Sequence, residues 1–204
     1  MGRRVGLGRV EKLLENLNRE INWGTSTSVS NNIAAAGSTY GAGAVGTGTI
    51  GAPQLYRTTD NGVILTQIKV DITGLACKGD SADDVIGLAA GGAAYIYRNV
   101  VADNGILFRM EVACLELPTE TTATITTDID FAWNASAVLA YDGAAGTSEM
   151  NMGTSVAGTV VVDNVLGLTA DDYLYITEGD AGATTGVYAG GQYLISLYGH
   201  ALLT

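Results

Sequence analysis

Between residues 105 and 117 the chain alternates with a period of two. Ile106, Phe108, Met110, Val112 and Cys114 share one parity, and Arg109 and Glu111 stand between them. A helix would scatter these residues around its axis, whereas a strand places them on one face and leaves the charges on the other. Ile64, Ile68, Val70 and Ile72 repeat the pattern against Gln67, Lys69 and Asp71. Further strands are expected at 93–98, 124–132, 136–141, 158–163, 173–177 and 192–199. Gly79-Asp80, Asp103-Asn104-Gly105, Asp142-Gly143 and Gly179-Asp180 punctuate them as turns. No second long helix is expected, only a turn near Ala170-Asp171-Asp172. About eight strands with some long connections predict an all-β, jelly-roll-like antiparallel sandwich over residues 55–204.

The first 22 residues follow another rule. Leu7, Val10, Leu14, Leu17 and Ile21 are spaced alternately by three and four, which is the seam of a heptad, and Leu13 widens the stripe. An amphipathic helix is therefore expected over residues 5–22. Two heptads are too short to be stable alone in water, so the helix must lean on something. It is either an oligomerising or docking arm, or a helix closing the end of the β domain. Residues 23–54 are Gly, Ala, Ser, Thr and Asn with little periodicity, and read as an extended arm or linker.

Charge separates the same two parts. The chain carries a net charge of −11, yet residues 1–22 hold five basic groups against three acidic ones. The remainder holds five basic groups against eighteen acidic ones. Nucleic acid would be repelled by such a body and is not expected as a partner. Charged residues are 15% of the chain, against about 25% in an ordinary soluble domain. With 28 glycines and a hydrophobic fraction of 47%, this composition suits a chain packed against neighbours. No apolar run reaches the 18 residues or so that a membrane span requires, and no apolar leader follows Met1. Cys77 and Cys114 both lie in apolar, strand-like surroundings and are expected to be buried free thiols, with a single bridge as the other possibility.

Few residues suggest chemistry. Gly41, Gly43 and Gly46 spell G-x-G-x-x-G, but no strand-to-helix context surrounds them, so no nucleotide cofactor is expected. Asp80, Asp83 and Asp84, and separately Asp128 and Asp130, could supply oxygens to a cation. Acidic turns are also ordinary loop chemistry, and no metal site is assigned. His200 is the only histidine and no G-x-S-x-G nucleophile elbow occurs, so a non-enzymatic protein is expected. The ten tyrosines suit either strands or a surface that contacts sugars or proteins.

Several blocks resemble structural proteins of marine tailed phages of the cyanophage and pelagiphage kind. They are MGRRVGLGRVEKLLENLNREINWG, VDITGLACKGDSADDVIG, ILFRMEVACLELPTETTATITTDIDF and DDYLYITEGDAGATTGVYAGGQYLISLYGHA, in that order along the chain. The resemblance implies a decoration (cement) protein on the exterior of an icosahedral capsid, made in the host cytoplasm. It implies a homotrimer and a shell of major capsid protein as partners. On that reading Leu7, Val10, Leu14, Leu17 and Ile21 form the packing seam, and Arg3, Arg4 and Arg9 pair with acidic groups of the partner. The alternative is a tail- or fibre-associated protein whose β domain binds a host-surface glycan.

Overall fold

A computed structural model describes residues 40–120, 125–146, 150–164, 168, 171–180 and 185–201, and these form two antiparallel sheets. The expected N-terminal helix, its seam Leu7, Val10, Leu14, Leu17 and Ile21, and the basic residues Arg3, Arg4 and Arg9 lie outside the described residues. The larger sheet holds β1 (Gln54–Asp60), β2 (Val63–Asp71), β10 (Gly186–His200), β5 (Ile106–Glu120) and β8 (Val160–Asp163), in that spatial order. The short β3 (Ala76–Cys77) pairs with the start of β10. The smaller sheet runs β4 (Tyr97–Arg98), β9 (Tyr173–Glu178), β6 (Asp128–Asn134) and β7 (Met150–Thr154). One helical turn, α1 (Val101–Asn104), precedes β5.

The hairpin β1–β2 shows how local sequence sets the register. Asn61 and Gly62 both have positive φ, 47° and 80°. A two-residue hairpin turn requires that of both its central residues, and Asn-Gly supplies it at low cost. With Asp60 thereby set opposite Val63, Leu55 falls opposite Ile68 and both are buried.

The core lies between the sheets. Ile68, Val70, Met110, Val112, Tyr193, Ile195 and Leu197 from the larger sheet meet Ile129, Phe131, Trp133, Leu174 and Ile176 from the smaller. Tyr193 packs edge-on against Phe131 with ring centroids 5.6 Å apart, joining the layers near their middle. Each such side chain removed from water contributes roughly 1.5–3 kcal/mol before conformational entropy is counted. The two buried tyrosine hydroxyls here are satisfied. Tyr193 donates to Ser155 Oγ at 3.1 Å, and Tyr188 donates to the Thr126 carbonyl at 3.0 Å.

The alternation expected at 105–117 holds from Met110 to Cys114 but breaks at its start. A register shift between Tyr198 and Gly199 marks a bulge in the β5–β10 pairing. An extra residue in one strand reverses the faces beyond it. Leu107 is buried and Ile106 is 60% exposed, the opposite of the sequence pattern.

Two expected strands are mostly or wholly irregular. Of residues 93–98 only Tyr97 and Arg98 form one, and residues 136–141 contribute a single bridge, Ala93 to Ala140. Both segments lie over the outer face of the smaller sheet, where Val85, Ala94, Tyr95, Leu139 and Ala145 cover Ala132, Tyr173 and Tyr175. Their apolar residues record burial under a covering layer rather than membership of a sheet. Residues 40–53 also pack on the body: Tyr40 and Ala44 are buried, and Gly41 and Gly43 donate to the carbonyls of Tyr95 and Ala93, both at 2.7 Å.

Candidate functional site

Among the described residues, a lysine and three aspartates gather where β9 ends beside the loop after β3. Lys78 Nζ lies 2.7 Å from Asp142 Oδ2 and 3.1 Å from Asp80 Oδ2. Asp84 completes the group: one oxygen from each of Asp80, Asp84 and Asp142 lies within 4.8 Å of the others. The hydrogen bond from Lys78 holds the Asp80 carboxyl below the usual carboxylate range. Asp84 goes the other way, raised first by burial and then by its contact with Asp80. Lys78 itself is pushed further up by its hydrogen bonds to Asp142 and Asp80, so the ammonium is the counter-ion of this cluster. Asp83 is exposed only in part and its backbone N–H donates to the Glu178 carbonyl at 2.7 Å.

Glu178 lies directly beneath. Its side chain is fully buried, and its two oxygens accept the backbone N–H groups of Lys78 at 2.6 Å and Gly79 at 2.8 Å. Burial raises its pKa, and those two backbone donors work against the rise. A carboxylate so engaged ties β9 to the β3 loop and is not free to act as an acid or base.

The other sequence candidates are dispersed. Cys77 and Cys114 are both buried thiols that form no disulfide, and burial raises both above their ordinary value, away from the reactive thiolate. His200 ends β10 at the surface and stacks on Phe108 with centroids 4.4 Å apart. The G-x-G-x-x-G letters resolve into a 3-10 turn, Ala42–Ala44, pressed against the backbone of Gly92 and Ala93. These glycines allow two segments of main chain to approach closely, which is a packing role. The tyrosines do not gather on one face. Tyr40, Tyr95, Tyr97, Tyr175, Tyr188 and Tyr193 are buried, and burial pushes the Tyr175 phenol up to about 12, where it stays a donor to the Ser136 carbonyl at 2.6 Å.

Sequence reasoning missed an aliphatic strip. The outer face of β5 and its neighbour β8 carries Leu115, Leu117, Val160 and Val162, each more than 40% exposed. Val156 stands exposed in the turn leading into β8. Val160 pairs with Ala113, which in turn pairs with Leu194, so the apolar surface continues inward across three strands. The strip gives way to charge where Arg109, Glu111 and Tyr198 contact one another, Tyr198 donating to Glu111 Oε2 at 2.8 Å. The signal was present in Val160-Val-Val162 and in Leu115-x-Leu117, which read as ordinary strand residues until the sheet edge is known. β8 is that edge, and it covers only residues 110–113 of the fifteen in β5.

Among the described residues no helix is long and apolar enough to cross a membrane. Comparison with protein families, with curated proteins and with solved structures finds no match to this chain.

Proposed function

We propose that this chain is a non-enzymatic virion structural protein that binds and stabilises an assembled capsid from outside, and that its β domain is a jelly roll. The strand order carries the reading. With β1 and β3 set aside, the eight remaining strands visit the sheets in the order larger, smaller, larger, smaller, smaller, larger, smaller, larger. They pair as β2-β10-β5-β8 and β4-β9-β6-β7, an order that matches the two four-stranded sheets expected of a double Greek key. That architecture recurs in viral coat proteins and in lectins. The resemblance of the sequence blocks to phage structural proteins favours the first.

The aliphatic strip on β5 and β8 supplies a contact surface for a sister copy or for the shell, and the N-terminal 22 residues supply a second. A protein that binds the assembled shell and not its separated subunits shifts the equilibrium toward the shell. Several copies in a homotrimer would multiply weak contacts. The alternative, a fibre domain binding a host glycan, draws less support, because sugar recognition favours exposed aromatic rings and six of the ten tyrosines are buried.

The test is co-sedimentation of the purified full chain with capsids stripped of accessory proteins. Saturable binding, reduced by deleting residues 1–22 or by Val160→Asp, supports the proposal. A chain that stays in the supernatant at every concentration overturns it.

A further inference from the structure

Asp128 and Gly179 face each other across β6 and β9, with Asp130 and Thr177 as the next pair. The four form a square on the side of the smaller sheet that faces away from the core. Residues so paired carry their side chains on one face, within about 5.5 Å of each other at Cβ. Gly179 leaves one corner of the square empty, and both carboxyl groups lean into it. A Cβ added at Gly179 would collide with Asp128 Oδ1, and would stand 2.7 Å from Asp128 Cγ and 3.0 Å from Asp130 Cγ.

A second observation is independent of the acids. Thr177 is completely buried, and its Oγ1 has no hydrogen-bond partner. Asp128 Oδ1 is likewise buried without one. An unmatched buried oxygen forfeits its hydration with nothing in return, so two beside one empty corner call for a donor or a cation there. Asp130 is anchored, its Oδ1 accepting the Met152 N–H at 3.0 Å, which fixes the second carboxylate from the β7 side. Asp180 follows directly, exposed, with its charge acting on Asp128.

We propose that Asp128, Asp130 and Thr177 Oγ1 form a binding site for a divalent cation, calcium by its chemistry, in the space left by Gly179, with Asp180 at the solvent side. The ligands are hard oxygens of uneven spacing, and calcium accepts six to eight such ligands, water among them, in flexible geometry. The cluster around Lys78 has no such need, since an ammonium already sits among its carboxylates. The bound ion ties β6 to the segment leaving β9, so its effect is structural.

Calorimetric titration of calcium chloride into the full chain tests this, with thermal unfolding followed at matched ionic strength in calcium or sodium chloride. One saturable site is expected, with a Kd on the order of 10⁻⁴ M. A rise of several degrees in Tm is expected at millimolar calcium but not in sodium. Asp128→Asn combined with Asp130→Asn abolishes the response, and Gly179→Ala abolishes it with every charge retained. Thr177→Val, which conserves shape, weakens binding about tenfold and decides the matter should the double variant fail to fold. Asp80→Asn leaves binding unchanged. The proposal is overturned by the lack of a saturable heat, by an equal rise in sodium chloride, by unaltered affinity in Thr177→Val, or by loss of the response in Asp80→Asn.

Discussion

The carboxylate of Glu178 accepts the backbone N–H of Lys78 at 2.6 Å, joining positions one hundred residues apart in the chain. The same side chain takes the N–H of Gly79, so one buried acid satisfies two donors of a loop that belongs to neither sheet. Glu178→Ala leaves both donors unmatched in the interior and is expected to cost about 3 kcal/mol. Glu178→Gln keeps one acceptor and is expected to cost about 1 kcal/mol. Urea unfolding of the two variants beside the parent chain measures both, and equal costs would remove the special part assigned to the second oxygen.

Asn104 performs a comparable service at the other polar centre. It ends the single helical turn α1 and is fully buried. Its Oδ1 accepts from Tyr97 at 2.7 Å, Thr66 at 2.9 Å and Arg57 at 3.3 Å, and its Nδ2 donates to Asn99 Oδ1 at 2.9 Å. Asn104→Ala is expected to destabilise by about 3 kcal/mol, since Thr66 and Tyr97 lose a partner inside the protein. Asp103→Ala, one residue away, removes only a surface ion pair to Arg57 at 3.6 Å and is expected to cost under about 1 kcal/mol.

These two residues mark the limit of what the sequence makes legible. β2 and most of β5 could be read from their alternation, because one face of each meets the core and the other meets water. Residues 93–98 looked the same but are covered on both sides, and the period-two pattern cannot tell a strand from a buried irregular segment. β7 went unread because Met150-Asn-Met-Gly153-Thr carries no β-branched run, and Gly153 has a φ of 59°. Asp128 and Asp130 were recognisable as an acidic pair, yet nothing local showed that Gly179 and Thr177 would complete their surroundings. Glu178 stood between the strand expected at 173–177 and the turn at Gly179-Asp180, and nothing in the sequence singled it out. Its burial depends on two N–H groups that approach from far away in the chain.

The acidic end sets an unusual pH dependence. Burial raises the folded-state pKa of Asp84, Asp128 and Glu178 above the ordinary carboxylate value. Each therefore holds a proton more tightly folded than unfolded. The stability that these groups contribute is present in full below the unfolded pKa and is lost as pH rises through the folded one. Asp80, lowered by Lys78, works in the opposite sense and loses its contribution only as pH falls through its own depressed pKa. The three raised groups and the net charge of −11 together favour mild acid. Tm is expected to increase from about pH 8 to about pH 5 in calcium-free buffer. A scan in which Tm falls steadily over that range would contradict the assignment.

The aliphatic strip separates stability from association. Leu115 and Val160 are 45% and 56% exposed, so replacing either with Lys is expected to change unfolding free energy by no more than about 0.5 kcal/mol. If the strip is the contact surface of the proposed function, the same variants lose binding to stripped capsids or fall to a smaller species in light scattering. Variants that retain both would place the contacts elsewhere, on the N-terminal 22 residues first.

The central claim is tested most directly by counting this chain in purified virions. Particles banded by density are separated into heads and tails, and the chain is quantified by mass spectrometry against the major shell subunit. The account expects it in the head fraction, in a fixed ratio to that subunit set by the symmetry of the shell. Its absence from particles, or a few copies confined to the tail, would contradict the account.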